Sequence, residues 1–90
     1  MRSLIFTSRF KKDIKLLKKQ NKDMTKLQEV FDILIEDDPI PQKYKDHPLR
    51  GNMKGFRDLH IESDWVLVYY IDGNDIHLTA TGSHSRILKM

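Results

Sequence analysis

The stretch Gly55 to Ile71, GFRDLHIESDWVLVYYI, decides the fold. Two strand-like runs flank a polar turn at Glu62-Ser63-Asp64. Side chains alternate along a strand, so the first run puts Arg57, Leu59 and Ile61 on one face and Phe56, Asp58 and His60 on the other. The second run, Trp65 to Ile71, is almost wholly apolar, β-branched or aromatic. It reads as a strand buried on both faces, in the middle of a sheet. The hairpin is therefore expected to form the sheet centre and to lift His60, Asp64 and Trp65 to its rim, where a rigid scaffold can hold a site.

Working outward, Asp72-Gly73-Asn74-Asp75 is a hairpin-turn signal, because Gly and Asn accept positive φ. It leads into a strand over Asp75 to Thr81, with Ile76, Leu78 and Ala80 expected inward and His77 and Thr79 outward. Gly82-Ser83-His84-Ser85 then leaves the sheet, and Arg86 to Met90 reads as a turn of helix or a frayed tail. On the N-terminal side, Ile40 to Lys54 lacks periodicity and contains Pro48 and Gly51. It reads as a loop lying over the sheet edge.

Leu4-Ile5-Phe6 is a short opening strand. Thr7 or Ser8 can cap a helix reaching about Gln20, with Phe10, Ile14 and Leu17 at helical spacing. Asp23 caps a second helix to about Asp37, whose apolar stripe is Leu27, Val30, Phe31 and Leu34. The short turn between them predicts an antiparallel hairpin that covers the later strands. Pro39 and Pro41 end the helical part. The expectation is one α+β domain over residues 1–90: an N-terminal strand, a two-helix hairpin, then antiparallel strands in a small sheet.

Ninety residues without cysteine exclude disulfide stapling and thiolate metal sites. No apolar run approaches about 18 residues, and Met1-Arg2-Ser3-Leu4 opens no signal peptide, so a soluble cytoplasmic protein with no membrane partner is expected. Sixteen Lys and Arg face thirteen Asp and Glu, and their distribution says more than the net of +3. Eight bases and two acids lie between Arg9 and Lys26, whereas Gln28 to Asp38 holds five acids and no base. A second basic set follows at Lys43, Lys45, Arg50, Lys54 and Arg57. A polyanionic partner fits this asymmetry, and so does an ordinary solvated lysine face.

His47, His60 and His84 come from three separate segments that can converge at one end of the sheet. Histidine is the side chain whose ordinary pKa, roughly 6.5, suits proton transfer near neutral pH. Asp64 can stabilise an imidazolium, and Arg50, Lys54 and Arg57 can hold a phosphate. This set matches RNA cleavage by a 2′-hydroxyl on its neighbouring phosphate, which needs a base, an acid and a cation. Three histidines and a carboxylate also suit zinc, but no HxxxH or HxH is present, so neither metal nor cofactor is expected. The plainer alternatives are a surface role for His77, a core role for Trp65 and an ion pair for Arg57.

At these residues the chain resembles the YafQ-type toxins of bacterial type II toxin–antitoxin modules, in the RelE/ParE superfamily. The matching pieces are Lys45-Asp46-His47-Pro48-Leu49-Arg50-Gly51, Lys54 to His60, Asp64-Trp65-Val66-Leu67-Val68-Tyr69 and Thr81-Gly82-Ser83-His84. Lys22-Asp23-Met24 and the Ser8 to Leu17 helix also fit. The resemblance implies a RelE-like α+β fold and an endoribonuclease, an mRNA interferase working in the ribosome, silenced by a tightly bound cognate antitoxin. It implies catalytic roles for His47, His60, Asp64 and His84, with His84 foremost in proton transfer, and supporting or contact roles for Asp58 and Trp65. Two departures stand out. Relatives often carry an arginine where this chain has Ala80, and an aromatic where it has Leu88. Arg86, Arg57 or Arg50 is then the candidate replacement cation. The competing expectation is a non-catalytic or weakened toxin of the same fold, acting by binding antitoxin, ribosome or gyrase.

Overall fold

The computed structural model describes residues 1–88. Strand β1 (Ser3–Phe6) leads into helices α1 (Ser8–Lys19) and α2 (Met24–Glu36). Then come β2 (His47–Pro48), β3 (Arg57–Glu62), β4 (Trp65–Asp72), β5 (Asp75–Gly82) and α3 (His84–Leu88). The sheet order is β1-β5-β4-β3-β2, with β1 parallel to β5 and the other neighbours antiparallel.

The predicted caps are in place. Thr7 Oγ1 accepts from the Phe10 N–H at 3.1 Å and donates to the Leu78 carbonyl at 3.0 Å, so one hydroxyl starts α1 and ties it to β5. Asp23 caps α2, which ends with Asp37 in the left-handed conformation. Phe10, Leu17, Leu27, Val30 and Leu34 from the two helices pack on Leu59, Trp65, Leu67, Tyr69, Ile76 and Leu78 of the sheet.

Three features depart from the sequence reading. Ile40 to Lys54 does not merely lie over the edge; it supplies the edge strand β2, paired to β3 through His47↔Asp58 and Pro48↔Arg57. A two-residue strand containing proline carries no strand signal of its own, and an edge is where proline is tolerated. Ala80 does not face inward with Ile76 and Leu78. The β4–β5 register shifts between Val68↔Ala80 and Tyr69↔Leu78, leaving Thr79 as an extra residue. This bulge reverses the alternation, so Ala80 joins Val66, Val68 and Ile87 in a second apolar cluster on the opposite face. Trp65 does not reach the rim. It is fully buried on the helix side, its indole N–H donating to Thr81 Oγ1 at 2.9 Å.

The end of the chain is helical over His84–Leu88, and residues 89–90 of the predicted tail lie outside the described residues. No described helix is long and apolar enough to cross a membrane.

Candidate active site

The histidines gather on the sheet face away from α1 and α2. His60 projects there from β3, and His47 follows because its strand pairs it with Asp58, whose side chain points the same way. Their ring centroids are 6.0 Å apart, and His60 and His84 are 5.8 Å apart, so the three imidazoles form a continuous row. His84 arrives because β5 ends at Gly82 and Ser83 caps α3, its Oγ accepting from the Arg86 N–H at 3.3 Å.

Asp58 lies beneath this row. It is fully buried, and one carboxylate oxygen is 3.5 Å from His47 Nε2 and 3.4 Å from His60 Nε2. These contacts are close, yet neither carboxylate oxygen has a hydrogen-bond partner among the described residues. A buried carboxylate without a hydrogen bond is costly, so imidazole protons or a bound cation are the natural compensation. His47 Nδ1 is 2.6 Å from the Lys45 carbonyl. A carbonyl only accepts, so Nδ1 carries hydrogen and Nε2 is the nitrogen left to exchange a proton. His47 is half exposed, and His60 is 20 % exposed.

Asp64 does not contact an imidazole in this arrangement. Its Oδ1 accepts from the backbone N–H of His84 at 3.1 Å, which fixes where α3 begins. Arg50 and Lys54 are exposed on the segment whose Leu49 and Met53 pack over the histidine face. Arg57 is not available to a phosphate on that face. It points to the helix side, where its guanidinium grips Asp46 through Nε at 3.1 Å and a terminal nitrogen at 2.8 Å. Asp46 also accepts from the Tyr69 hydroxyl at 2.6 Å. Asp46 thereby holds the Arg57 guanidinium above its usual range, while burial, then the Asp46 bond, raises the Tyr69 phenol. A cavity of about 530 Å³ beside this trio, lined also by Arg2 and Asp37, lies on the helix side and holds none of the histidines.

Arg86 follows His84 by two residues in α3. Its guanidinium passes over Gly82, where an added Cβ would come within 3.0 Å of it, and donates to Asp13 at 3.0 Å. Asp13 is 1 % exposed and also accepts from the Thr81 N–H at 3.1 Å. It thus caps the part of the β5 edge that β1 leaves unpaired. Sequence periodicity did not single out Asp13. Its signal was an acid in an otherwise basic helix, three residues from Phe10 and four from Leu17, on the inward face.

Residues 2–89 match the family described as the bacterial toxin of type II toxin–antitoxin systems, YafQ. The chain belongs to that family. It is 40 % identical over 87 residues to the mRNA interferase toxin YafQ of Escherichia coli K12, covering 96 % of this chain and 95 % of the relative. The YafQ fold is equally plain in solved structures. The E. coli DinJ–YafQ complex superposes with a TM-score of 0.89 at 40 % identity, over 97 % of this chain and 98 % of that one. A metal-bound toxin from Helicobacter pylori gives 0.89 at 39 % identity, over 97 % and 99 %. Within the YafQ frame, this chain also presents donors that fit a cation: one atom each from His47, Asp58 and His60, all within 4.8 Å of one another. Asp58 and His60 sit at alternate positions of one strand, and His47 sits on its neighbour, where no local spacing motif announced it.

Proposed function

We propose that this chain is the toxin of a type II toxin–antitoxin module and that it cuts messenger RNA on the ribosome by histidine acid–base catalysis needing no metal. The observation that best supports this reading is the row of three imidazoles from β2, β3 and α3 over the buried Asp58 carboxylate. In the reaction, the RNA 2′-hydroxyl attacks the adjacent phosphorus. A base takes the hydroxyl proton, the bond from phosphorus to the 5′-oxygen breaks, and an acid gives that oxygen a proton. The products are a 2′,3′-cyclic phosphate and a 5′-hydroxyl. His84 is the principal proton-transfer group, and His47 and His60 share acid–base and phosphate-binding roles. Asp58 offsets positive charge on the two imidazoles beside it, and Asp64 acts as a positioning residue through α3. Arg50 and Arg86 supply cations for the charge that develops on the phosphate, and Lys54 holds the phosphate next along the RNA.

The basic surface of α1 supports contact with ribosomal RNA, an interaction that weakens steeply with salt. The solved DinJ–YafQ complex supports an antitoxin partner, for which an acidic segment over the basic helix is the expected chemistry. A cytoplasmic location follows from the ribosomal target.

A second reading, a weakened or purely binding toxin, draws on Ala80. It is buried among Val66, Val68 and Ile87 where relatives often carry arginine, and Arg86 is already engaged by Asp13. His47, Asp58 and His60 are the residues that would hold a metal ion; a bound ion supplies Lewis acidity, at the expense of the lone pairs that proton transfer uses.

The test is cleavage of a defined mRNA by purified protein, with and without ribosomes and with EDTA, wild type beside His84→Ala. Cutting that needs ribosomes, survives EDTA and is lost in the variant supports the proposal. No cutting by folded wild-type protein favours the binding reading.

A further inference from the structure

The histidine face continues beyond the histidines. Two residues before Asp58, just ahead of β3, and in line across the sheet, stand Phe56, Tyr70 and His77. Tyr70 and His77 are register partners with stacked rings, centroids 4.4 Å apart and planes 3° from parallel. Phe56 meets Tyr70 edge to face at 5.2 Å. All three are only partly buried, and no helix covers them as α3 covers Ala80. Beside them opens an apolar cleft of about 300 Å³, lined by Lys54, Gly55, Phe56 and Tyr70. We infer that this aromatic row is a base-stacking subsite for the single-stranded RNA whose phosphate is cut at the histidines, with Lys54 on the adjoining phosphate. The inference rests on the nuclease reading above.

Three observations select RNA as the occupant. The row lies on the same face as the proposed catalytic row, with the buried Val68 and Ala80 between them; His60 and Phe56 are four residues apart in the chain, about 13 Å when extended. That distance is spanned by a short run of extended single strand, and aromatic side chains on an open sheet face are a recurrent platform for unpaired bases. Charge then bounds the track. Lys54 flanks the cleft, whereas Asp72 and Asp75, paired at the end of the hairpin, carry the next row and repel a phosphate backbone. The strand is thereby confined between the histidines and the two acids. An aromatic ladder that served only to hold β4 to β5 would gain nothing from the open cleft beside it.

A stack formed equally in the ground and transition states raises KM when lost and leaves the chemical step alone. Tyr70→Ala should therefore raise KM for mRNA-programmed ribosomes by about 5- to 150-fold, the range for one base–aromatic stack, with Tyr70→Phe close to wild type. The experiment has a binding arm and a cleavage arm. Ribosome-bound mRNA with a 2′-deoxy sugar at the cut and 5-iodouridine at each neighbouring position in turn is irradiated with wild-type toxin. One position should cross-link to Phe56, Tyr70 or His77. In cleavable mRNA, an abasic nucleotide at that same position should slow wild type and have little further effect on Tyr70→Ala. Absence of any cross-link to the three rings overturns the inference, as does cleavage indifferent to every abasic position. Cross-linking without cleavage by wild type retains the subsite and overturns the nuclease reading instead.

Discussion

Replacing Asp13 by alanine should cost about 3 kcal/mol of folding stability, and the sum can be traced contact by contact. The carboxylate is 1 % exposed and accepts from the Thr81 N–H, which lies on the β5 edge beyond the reach of β1. Orphaning that buried donor costs roughly 1–3 kcal/mol. The pair with Arg86 is short at 3.0 Å, but the arginine side chain is 46 % exposed, so solvent screening holds its share to about 1 kcal/mol. Arg9, at 3.8 Å and more exposed still, adds a few tenths at most. For a chain of this size the total corresponds to a fall in Tm of roughly 10–25 °C. Asp13→Asn separates the contributions: its amide oxygen still accepts from Thr81, so only the charge share, about 1 kcal/mol, is lost. Urea unfolding of wild type, Asp13→Ala, Asp13→Asn and the Asp13→Ala/Arg86→Ala pair measures each step. An Asp13→Ala loss below 1 kcal/mol, with folded spectra, would refute the reasoning, because it would mean that Thr81 finds another acceptor.

The other predictions concern the site and pH. His84→Ala should lower single-turnover mRNA cleavage by about 100- to 10,000-fold, the usual worth of a positioned proton-transfer group, while thermal unfolding changes little. Added Cu²⁺ or Zn²⁺ should inhibit cleavage reversibly through His47, Asp58 and His60; Asp58→Asn should raise the inhibitory concentration by more than the roughly 10- to 100-fold that loss of a supporting partner costs. Tyr69 is held protonated by burial and by Asp46, so above about pH 10 the folded chain binds more protons than the unfolded one. That contribution is intact below the unfolded phenol's pKa and is lost as pH rises, by up to about 1.4 kcal/mol per pH unit. Subtracting the Tyr69→Phe unfolding curve from wild type between pH 8 and 11 should isolate this slope.

Much of this architecture could be read in the residues because their patterns report local physics. Thr7 and Asp23 announced helix starts by their side-chain acceptors, and Trp65 to Ile71 announced a central strand by being apolar on both faces. Alternation along β3 put Asp58 and His60 together. What stayed hidden depended on partners distant in sequence. The contact of Asp58 with His47 depends on β2, a strand too short to have a signature. Arg57 left the phosphate-binding set because Asp46, eleven residues away, meets it on the other face. Trp65 was apolar enough for core, and the Thr81 hydroxyl opposite it decided the matter. The bulge at Thr79 carries no glycine or proline to mark it, so β5 read as an uninterrupted strand.

That extra residue makes β5 longer by one than the stretch of β4 it faces. Ile76 and Leu78 precede it and anchor the helix side; Ala80, Gly82 and His84 follow it on the opposite side. Deleting Thr79 would leave Leu78 opposite Tyr69 and Ala80 opposite Val68 in plain alternation, with Ala80, Gly82 and His84 still on their present side. A single codon could thus be lost at this position, in frame, with every histidine kept on its face.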